Sequence, residues 1–316
     1  MMPQRHLGDS DLTVSAVGLG CNNFSRPGTV TQSPAGTRAV IDAAIDVGIT
    51  LLDTAELYGD PKGGSEDLMG QALEGRRDKI VLATKFGHMA GGPRGSETWG
   101  SAGSLSYIAQ AVEGSLTRLR TDRIDLYQMH TPDPTTPIGD TLTALAPLVQ
   151  AGKVRYLGHS NFTAEQIREA ETVAAELGLP KFVSSQNEYS LMARGVEYDV
   201  LPTVRELGLG FLPYFPLYNG LLTGKYSRGG GEGRLTRLKP EVLEQVDWDL
   251  MERYEALCDE AGVSMLDATF AWLLAQPAIS SVIAGATSPE QVAANAKAGE
   301  TVLPDDVVAA IGALFG

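Results

Sequence analysis

Four side chains set the chemical question: Asp53 and Tyr58 in LLDTAELYG (51–59), Lys85 closing KIVLATK (79–85), and His130 closing IDLYQMH (124–130). Each ionisable group follows an apolar run of the kind that forms a buried strand. Each also has an ordinary explanation. An Asp at such a point can cap a helix, a Lys can snorkel to solvent and a His can sit satisfied in a core. Together they allow more. A Lys buried at a strand end needs a counter-ion, which Asp53 can provide. An ammonium fixed beside Tyr58 would lower the phenol from its ordinary pKa of about 10 and make it a better proton relay near neutrality. His130 could hydrogen-bond a carbonyl oxygen that points at the phenol.

The elements that must position these groups alternate. β-rich runs fall at AVGLG (16–20), ITLLD (49–53), KIVLATK (79–85), IDLYQMH (124–130), VRYLGHS (154–160), FVSSQN (182–187), GFLPYF (210–215) and ISSVIAG (279–285). Between them run helical patterns with apolar residues at i, i+3 and i+4, such as GTRAVIDAAIDVG (36–48), SLSYIAQAVEGSLTRL (104–119), TLTALAPLVQAG (141–152), TAEQIREAETVAAELG (163–178) and EYDVLPTVRELG (197–208). Eight βα units favour a closed parallel (β/α)8 TIM barrel over a doubly wound sheet, and barrels of about 250 residues form one continuous core. RHLGDSDLTVSA (5–16) reads as an N-terminal β-hairpin covering the barrel floor. SRGGGEGRLTRL (227–238) is an irregular insertion after the seventh strand, followed by an extra helix in DWDLMERYEALCDEAG (247–262). No linker divides the chain, so one barrel domain over residues 1–316 is expected.

In such barrels chemistry sits at the C-terminal ends of the strands. Those ends are Gly20, Asp53, Lys85, His130, Ser160 with Asn161, Gln186 with Asn187, Tyr214 and Gly285. Ionisable groups concentrate there, although the strands behind them are dominated by apolar residues.

Composition removes other classes of function. With 25 Lys and Arg against 39 Asp and Glu, the net charge is −14 and a nucleic-acid backbone would be repelled. The densest basic run, Arg76, Arg77 and Lys79, reads as the charged C-terminal end of a helix. The cysteines, Cys21 and Cys258, are far apart and have no ligand partner at metal spacing, so neither a disulfide framework nor a metal site is suggested. The N-terminal stretch lacks a signal-peptide core, and no segment approaches the roughly 18 apolar residues of a membrane span. A cytoplasmic protein without membrane or nucleic-acid partners is expected, with a monomer as the default oligomeric state.

DTAELYG (53–59), ATKFG (83–87), LYQMH (126–130), GHSNF (158–162), SQNEYS (185–190), PYFPLYNGLLTGKY (213–226) and VIAGATSPEQVAAN (282–295), in this order, closely resemble the aldo-keto reductases. The resemblance covers nearly the whole chain and implies the same (β/α)8 barrel. It implies an NAD(P)H-dependent oxidoreductase in which Tyr58 is the general acid, Lys85 and Asp53 tune it and His130 orients the carbonyl of an aldehyde or ketone. It further implies that Ser160, Asn161 and Gln186 hold the nicotinamide carboxamide and that Tyr214 stacks on the ring. Gly220 and Lys225 of GLLTGKY are implied to face the pyrophosphate, Pro216, Leu217 and Arg234 to bind the cofactor, and Gly285, Thr287, Gln291 and Asn295 to form a phosphate-ribose site at a helix N-terminus for the adenosine end. Thr287 and Gln291 are neutral here, where many relatives carry Arg or Lys, so the cation for a 2′-phosphate has to come from elsewhere, with Arg234 or Arg237 the candidates. NADPH is the expected cofactor and NADH the other option.

GLGCNN (18–23) lacks the third glycine of a dinucleotide fingerprint. GLLTGKY (220–226) has the wrong glycine spacing for a phosphate loop and Tyr226 where Ser or Thr must hold magnesium. Two rival functions stay open: a class I aldolase using Lys85 as a Schiff-base nucleophile, and a catalytically weak regulatory subunit of the same fold. The retained His130 argues against the second, because channel-type members of the resembled family replace it. Substrate would enter past the loops Cys21 to Pro34 and Phe86 to Gly103, the latter carrying His88 and Trp99, and past the insertion after Tyr226.

Overall fold

The computed structural model describes residues 2–316. Eight parallel strands form one curled sheet: Val17–Gly20, Leu51–Asp53, Val81–Phe86, Ile124–Met129, Val154–Ser160, Phe182–Gln186, Gly210–Phe211 and Val282–Gly285. They pair in chain order, and the last pairs in parallel with the first, Val282 opposite Val17. The seventh and eighth segments meet through a parallel bridge between Phe211 and Ile279, with Phe211 N–H donating to Ala278 O at 2.8 Å. The expected (β/α)8 architecture is present.

The seventh strand is shorter than the run GFLPYF suggests. Pro213 has no N–H to donate, so ladder pairing lapses there, although Pro213 O still accepts from Ile283 N–H at 3.1 Å. Tyr214 then resumes contact through a parallel bridge with Glu188.

Successive side chains of a strand face opposite sides, and this period sorts the barrel interior into layers. At the base, Leu51, Ala83, Leu126, Leu212 and Ile283 pack with Leu7, Leu12 and Val14 of the N-terminal hairpin, whose strands Gln4–His6 and Thr13–Ser15 pair antiparallel. The hairpin closes the floor as expected, and Arg5 donates to Leu274 O and Ile279 O beneath it. Two residues further along the same strands stand Asp53, Lys85, Gln128 and Tyr214. The outward faces, including Leu52, Leu82, Phe86, Tyr127 and Met129, pack into the main core beneath the helices.

The helices start where the chain supplies caps. Ser33 accepts from Gly36 N–H at the head of Pro34–Asp46, Ser104 accepts from Tyr107 N–H at the head of Leu105–Leu119, and Thr163 and Gln166 form a capping box for Ala164–Leu177. The extra helix after the seventh strand is Trp248–Glu260, capped by Asp247. The insertion before it forms a two-residue-per-strand hairpin and the short helix Arg234–Leu238. No helix among the described residues is long and apolar enough to cross a membrane.

The basic run at 76–79 departs from expectation. The helix Gly64–Leu73 ends before it, and Arg77–Lys79 forms a 3-10 turn. Arg76 still reaches back to the helix's last turn, donating to Ala72 O, but it also pairs with Asp42, and Arg77 pairs with Asp125. Individual carboxylates hold these guanidiniums beyond any pull from the helix dipole.

Candidate active site

The second strand ends at Asp53 with only 3% of the residue exposed, and the third brings Lys85, fully buried, beside it. Lys85 Nζ donates to Asp53 Oδ2 at 2.6 Å and to Thr54 O at 2.9 Å. The other Asp53 oxygen, Oδ1, accepts from Gln128 Nε2 at 3.1 Å and Gln186 Nε2 at 3.0 Å. Burial pushes the ammonium down, but attraction to Asp53 and then Tyr58 more than offsets it, so Lys85 holds its proton more firmly than a free lysine.

Tyr58 lies on the loop after the second strand. Its N–H donates to Ala55 O, and its own carbonyl accepts from Gly63 and Ser65 N–H, which fixes the turn. Gly59, at φ +99°, passes so close to Ser65 that a Cβ there would lie 2.7 Å from the Ser65 nitrogen. The Lys85 ammonium lies 5.2 Å from the centroid of the Tyr58 ring. The sequence-based expectation of a lowered phenol pKa is corrected in its net direction. Lys85 does act to lower it, but burial pushes it up more strongly and Asp53 adds to the rise, so the phenol lies above its ordinary value.

His130 packs edge-on to Tyr58, ring centroids 5.7 Å apart. Its Nδ1 is buried without a hydrogen-bond partner. Burial, followed by the charges of Lys85 and His88, holds the imidazole well below its usual pKa, so it is neutral at physiological pH. His88, from the loop after the third strand, stacks edge-on at 4.5 Å from His130.

The next four predicted residues also come together. Ser160 Oγ donates to Gln186 O at 2.7 Å. Asn161, at φ +63°, donates from Nδ2 to His130 O and to Ser160 Oγ, and accepts from the Tyr214 hydroxyl at 2.8 Å. One polar network therefore runs from Lys85 through Asp53 and Gln186 to Ser160, Asn161 and Tyr214. Sequence reasoning missed Gln128, although it sits two residues before His130 and so on the same inward face.

Farther along the rim, Pro216 is buried and Leu217 half-buried. Gly220 and Gly224 take φ of +92° and +78°, and the Lys225 side chain crosses back over Gly220. Burial lowers the pKa of Lys225, and Arg237 adds to the effect. The Arg234 guanidinium sits 5.8 Å from the Phe215 ring centroid with its Nε buried and unpartnered; its pKa is lowered by burial and by Arg26. None of the ion pairs among the described residues involves Arg26, Lys225, Arg234 or Arg237. Sequence reasoning did not single out Arg26, which the loop after the first strand carries.

Gly285 ends the eighth strand, and a Cβ there would meet Asn23 Nδ2 at 3.2 Å. The helix Pro289–Ala298 follows, capped by Ser288. Gln291 folds its Oε1 back onto Thr287 N–H at 2.8 Å, and Asn295 is buried on the inner side of the same helix.

A family model described as the aldo/keto reductase family matches residues 16–315. Similar proteins include YrpG, an uncharacterized oxidoreductase of Bacillus subtilis, 36% identical over 99% of this chain and 96% of its own length. L-glyceraldehyde 3-phosphate reductase of Escherichia coli is 32% identical over 94% of this chain and 87% of its own length. A probable voltage-gated potassium channel subunit beta of rice is 34% identical over 94% of this chain and 91% of its own length. With motifs, barrel and profile in agreement over nearly all of its length, this chain belongs to the aldo/keto reductase family.

Proposed function

We propose that the protein is an NADPH-dependent carbonyl reductase that acts on aldehydes or ketones, or oxidises the matching alcohols, with Tyr58 as general acid and base. The observation that carries this reading is the buried Lys85–Asp53 pair against the Tyr58 ring, with a neutral His130 edge-on to the same ring. When bound, the nicotinamide cofactor supplies or accepts the hydride. The chain's own residues do the rest.

Tyr58 donates its phenolic proton to the oxygen on which negative charge develops. Lys85 favours the phenolate left behind, and Asp53 keeps Lys85 charged and aimed. The raised phenol pKa keeps Tyr58 protonated at rest, as a proton donor must be, and the Lys85 charge limits that rise. His130, neutral, can donate a hydrogen bond to the carbonyl and orient it without adding a second buried cation. Ser160, Asn161 and Gln186, joined to one another and to Asp53, offer fixed polar atoms for a carboxamide, and Tyr214 offers a half-buried ring held by Asn161.

The cofactor fits the residues present. Arg234 has an orphaned buried Nε and feels the charge of Arg26, and Lys225 feels that of Arg237, with no carboxylate among the described residues paired to any of the four, an arrangement that an anionic pyrophosphate or 2′-phosphate would satisfy. The helix N-terminus at Pro289 contributes backbone amides but no fixed cation. These uncommitted cations in an otherwise acidic chain favour NADPH over NADH.

The test is cofactor-coupled absorbance with NADPH and NADH across short aldehydes, ketones, sugars and secondary alcohols. The L-enantiomer of glyceraldehyde 3-phosphate belongs in the set because one relative is named for reducing it. Oxidation of NADPH by at least one carbonyl supports the reading. Borohydride trapping of a substrate on Lys85 would instead establish the aldolase alternative.

A further inference from the structure

Between Asp53 and Tyr58 the loop carries another carboxylate, Glu56, that the chemistry above does not use. It is fully buried. Its N–H donates to Lys85 O at 3.0 Å. Its side chain turns toward the loop after the third strand, where Oε1 accepts from Gly87 N–H at 2.8 Å and from the Tyr107 hydroxyl at 2.6 Å. Oε2 is buried and has no partner.

Gly87 begins the loop 87–104, with φ +72°, and Tyr107 lies in the first turn of the helix that ends it. One carboxyl therefore ties both bases of the loop together. The loop carries His88, which touches His130, and Trp99, whose ring lies 5.5 Å from that of Tyr107. Its outer turn is held by Lys62, an exposed contact from Nζ to Ala90 O at 2.8 Å and Gly91 O at 3.3 Å. Two further buried ties hold the bases, Thr131 Oγ1 donating to Gly87 O at 3.1 Å and Thr141 Oγ1 to Gly103 O at 3.0 Å, so Glu56 is the titratable one among the buried anchors.

The charges around Glu56 leave it short of a counter-ion. Glu66, from the helix Gly64–Leu73, is also fully buried; it accepts from the Thr84 hydroxyl at 2.6 Å and from Arg118 Nε at 2.8 Å. Arg118, on the helix that carries Tyr107, is thus committed to Glu66. From the fourth strand comes Tyr127, its hydroxyl buried and unpartnered. The phenols of Tyr107 and Tyr127 are both pushed up, by burial first and Glu56 next, and stay protonated. Two carboxyls share one guanidinium, and Glu56 is the one left to hold a proton. Burial lifts it to about 7, with Glu66 adding to the rise while the Tyr107 and Gly87 hydrogen bonds and Arg118 oppose it.

We infer that Glu56 is a positioning residue: protonated, it latches the loop 87–104 against the mouth that holds Tyr58 and His130, and on losing its proton it loosens that loop and the His88 contact. Only the catalytic consequence rests on the carbonyl-reductase reading. The closed loop binds the Glu56 proton more tightly than an open, solvated loop would. Closure is therefore favoured in full below about pH 4.5 and loses stability as the pH rises to about 7. His88 and His130 are held below their ordinary value of 6.5, so their titrations belong to the acid side.

Hydrogen exchange of the 87–104 segment, corrected for intrinsic rate and followed from pH 5 to 8, needs no turnover. Protection in the parent should fall by about tenfold or more across this range. In Glu56→Gln, which keeps an acceptor for Gly87 and Tyr107, it should be independent of pH. Tyr107→Phe, which removes one tie, should lower protection at every pH and serves if the Gln variant folds poorly. Protection that is flat with pH in the parent, or unchanged in Tyr107→Phe, overturns the inference. Where a reduced carbonyl is available, its KM should rise with pH in the parent and not in Glu56→Gln, with kcat changing less. If exchange behaves as stated but no carbonyl is reduced, the latch stands and the carbonyl-reductase reading fails. If carbonyls are reduced while exchange stays flat, the reverse holds.

Discussion

Lys85 Nζ stands 2.6 Å from Asp53 Oδ2, and both side chains are sealed from solvent. Such a pair contributes little net stability when intact, but removing one partner strands the other in a medium that solvates charge poorly. Lys85→Met should therefore lower stability by about 3–5 kcal/mol, read as a fall in thermal midpoint. Carbonyl reduction should fall with it, because Tyr58 loses the charge that opposes its raised pKa. An unchanged midpoint together with unchanged turnover would show Lys85 to be neither buried nor coupled to Tyr58.

Tyr58→Phe separates chemistry from binding. The ring keeps its packing against His130, and only the proton donor is lost, so kcat should drop by about 10²–10⁴-fold. NADPH affinity, measured by fluorescence titration, should stay within about a factor of three of the parent, since less than 1 kcal/mol is at stake. Substantial turnover by the variant would reassign the acid.

Arg234 and Arg237, both on the insertion, test the cofactor reading. If Arg234 and Arg237 grip a 2′-phosphate, NADPH should bind more tightly than NADH, and the preference should shrink in Arg234→Ala or Arg237→Ala. Raising salt should also shrink it, because the Debye length falls from about 10 Å at 0.1 M to 3 Å at 1 M. Dissociation constants for both cofactors at both ionic strengths decide the point. A parent that prefers NADH would show that the neutral Thr287 and Gln291 side chains govern.

His159 carries a prediction about acid stability. Its ring packs against both Phe162 and Phe182, with centroids at 4.6 and 5.2 Å, and both ring nitrogens are buried without partners. Burial holds its pKa at about 3. The unfolded chain takes up this proton near 6.5 while the folded chain does not, so stability present above pH 6.5 is lost as the pH falls toward 3. In denaturant titrations at pH 7 and pH 4.5, His159→Phe should lose less stability on acidification than the parent. An equal loss in both would mean that carboxylates elsewhere dominate acid unfolding.

Much of the architecture was legible because barrel strands encode it locally. A period of two puts Leu51 on the floor and Asp53 at the mouth, Ala83 below Lys85, and Leu126 below Gln128 and His130. Alternating helical patterns with Ser or Thr caps required only nearest-neighbour chemistry to read. The shortfall of the seventh strand was also written locally, in Pro213. The grouping of Asp53, Lys85 and His130 followed from their places at strand ends, and Tyr58 from its place on the short loop beyond Asp53.

What the sequence could not determine is how competing long-range terms balance at one atom. Lys85 was expected to lower the Tyr58 pKa, and it does push that way, but the net direction depends on how much water the folded mouth excludes. Gln128 and Gln186 converge on the same Asp53 oxygen from residues 75 and 133 positions away. Glu56 was one more polar residue in a loop until Gly87, Tyr107, Glu66 and Arg118 closed around it. Strand period and helix caps are properties of neighbouring residues, and sequence carries them directly. Desolvation and the pairing of buried charges depend on the whole surrounding shell, and only the closed barrel assembles that shell.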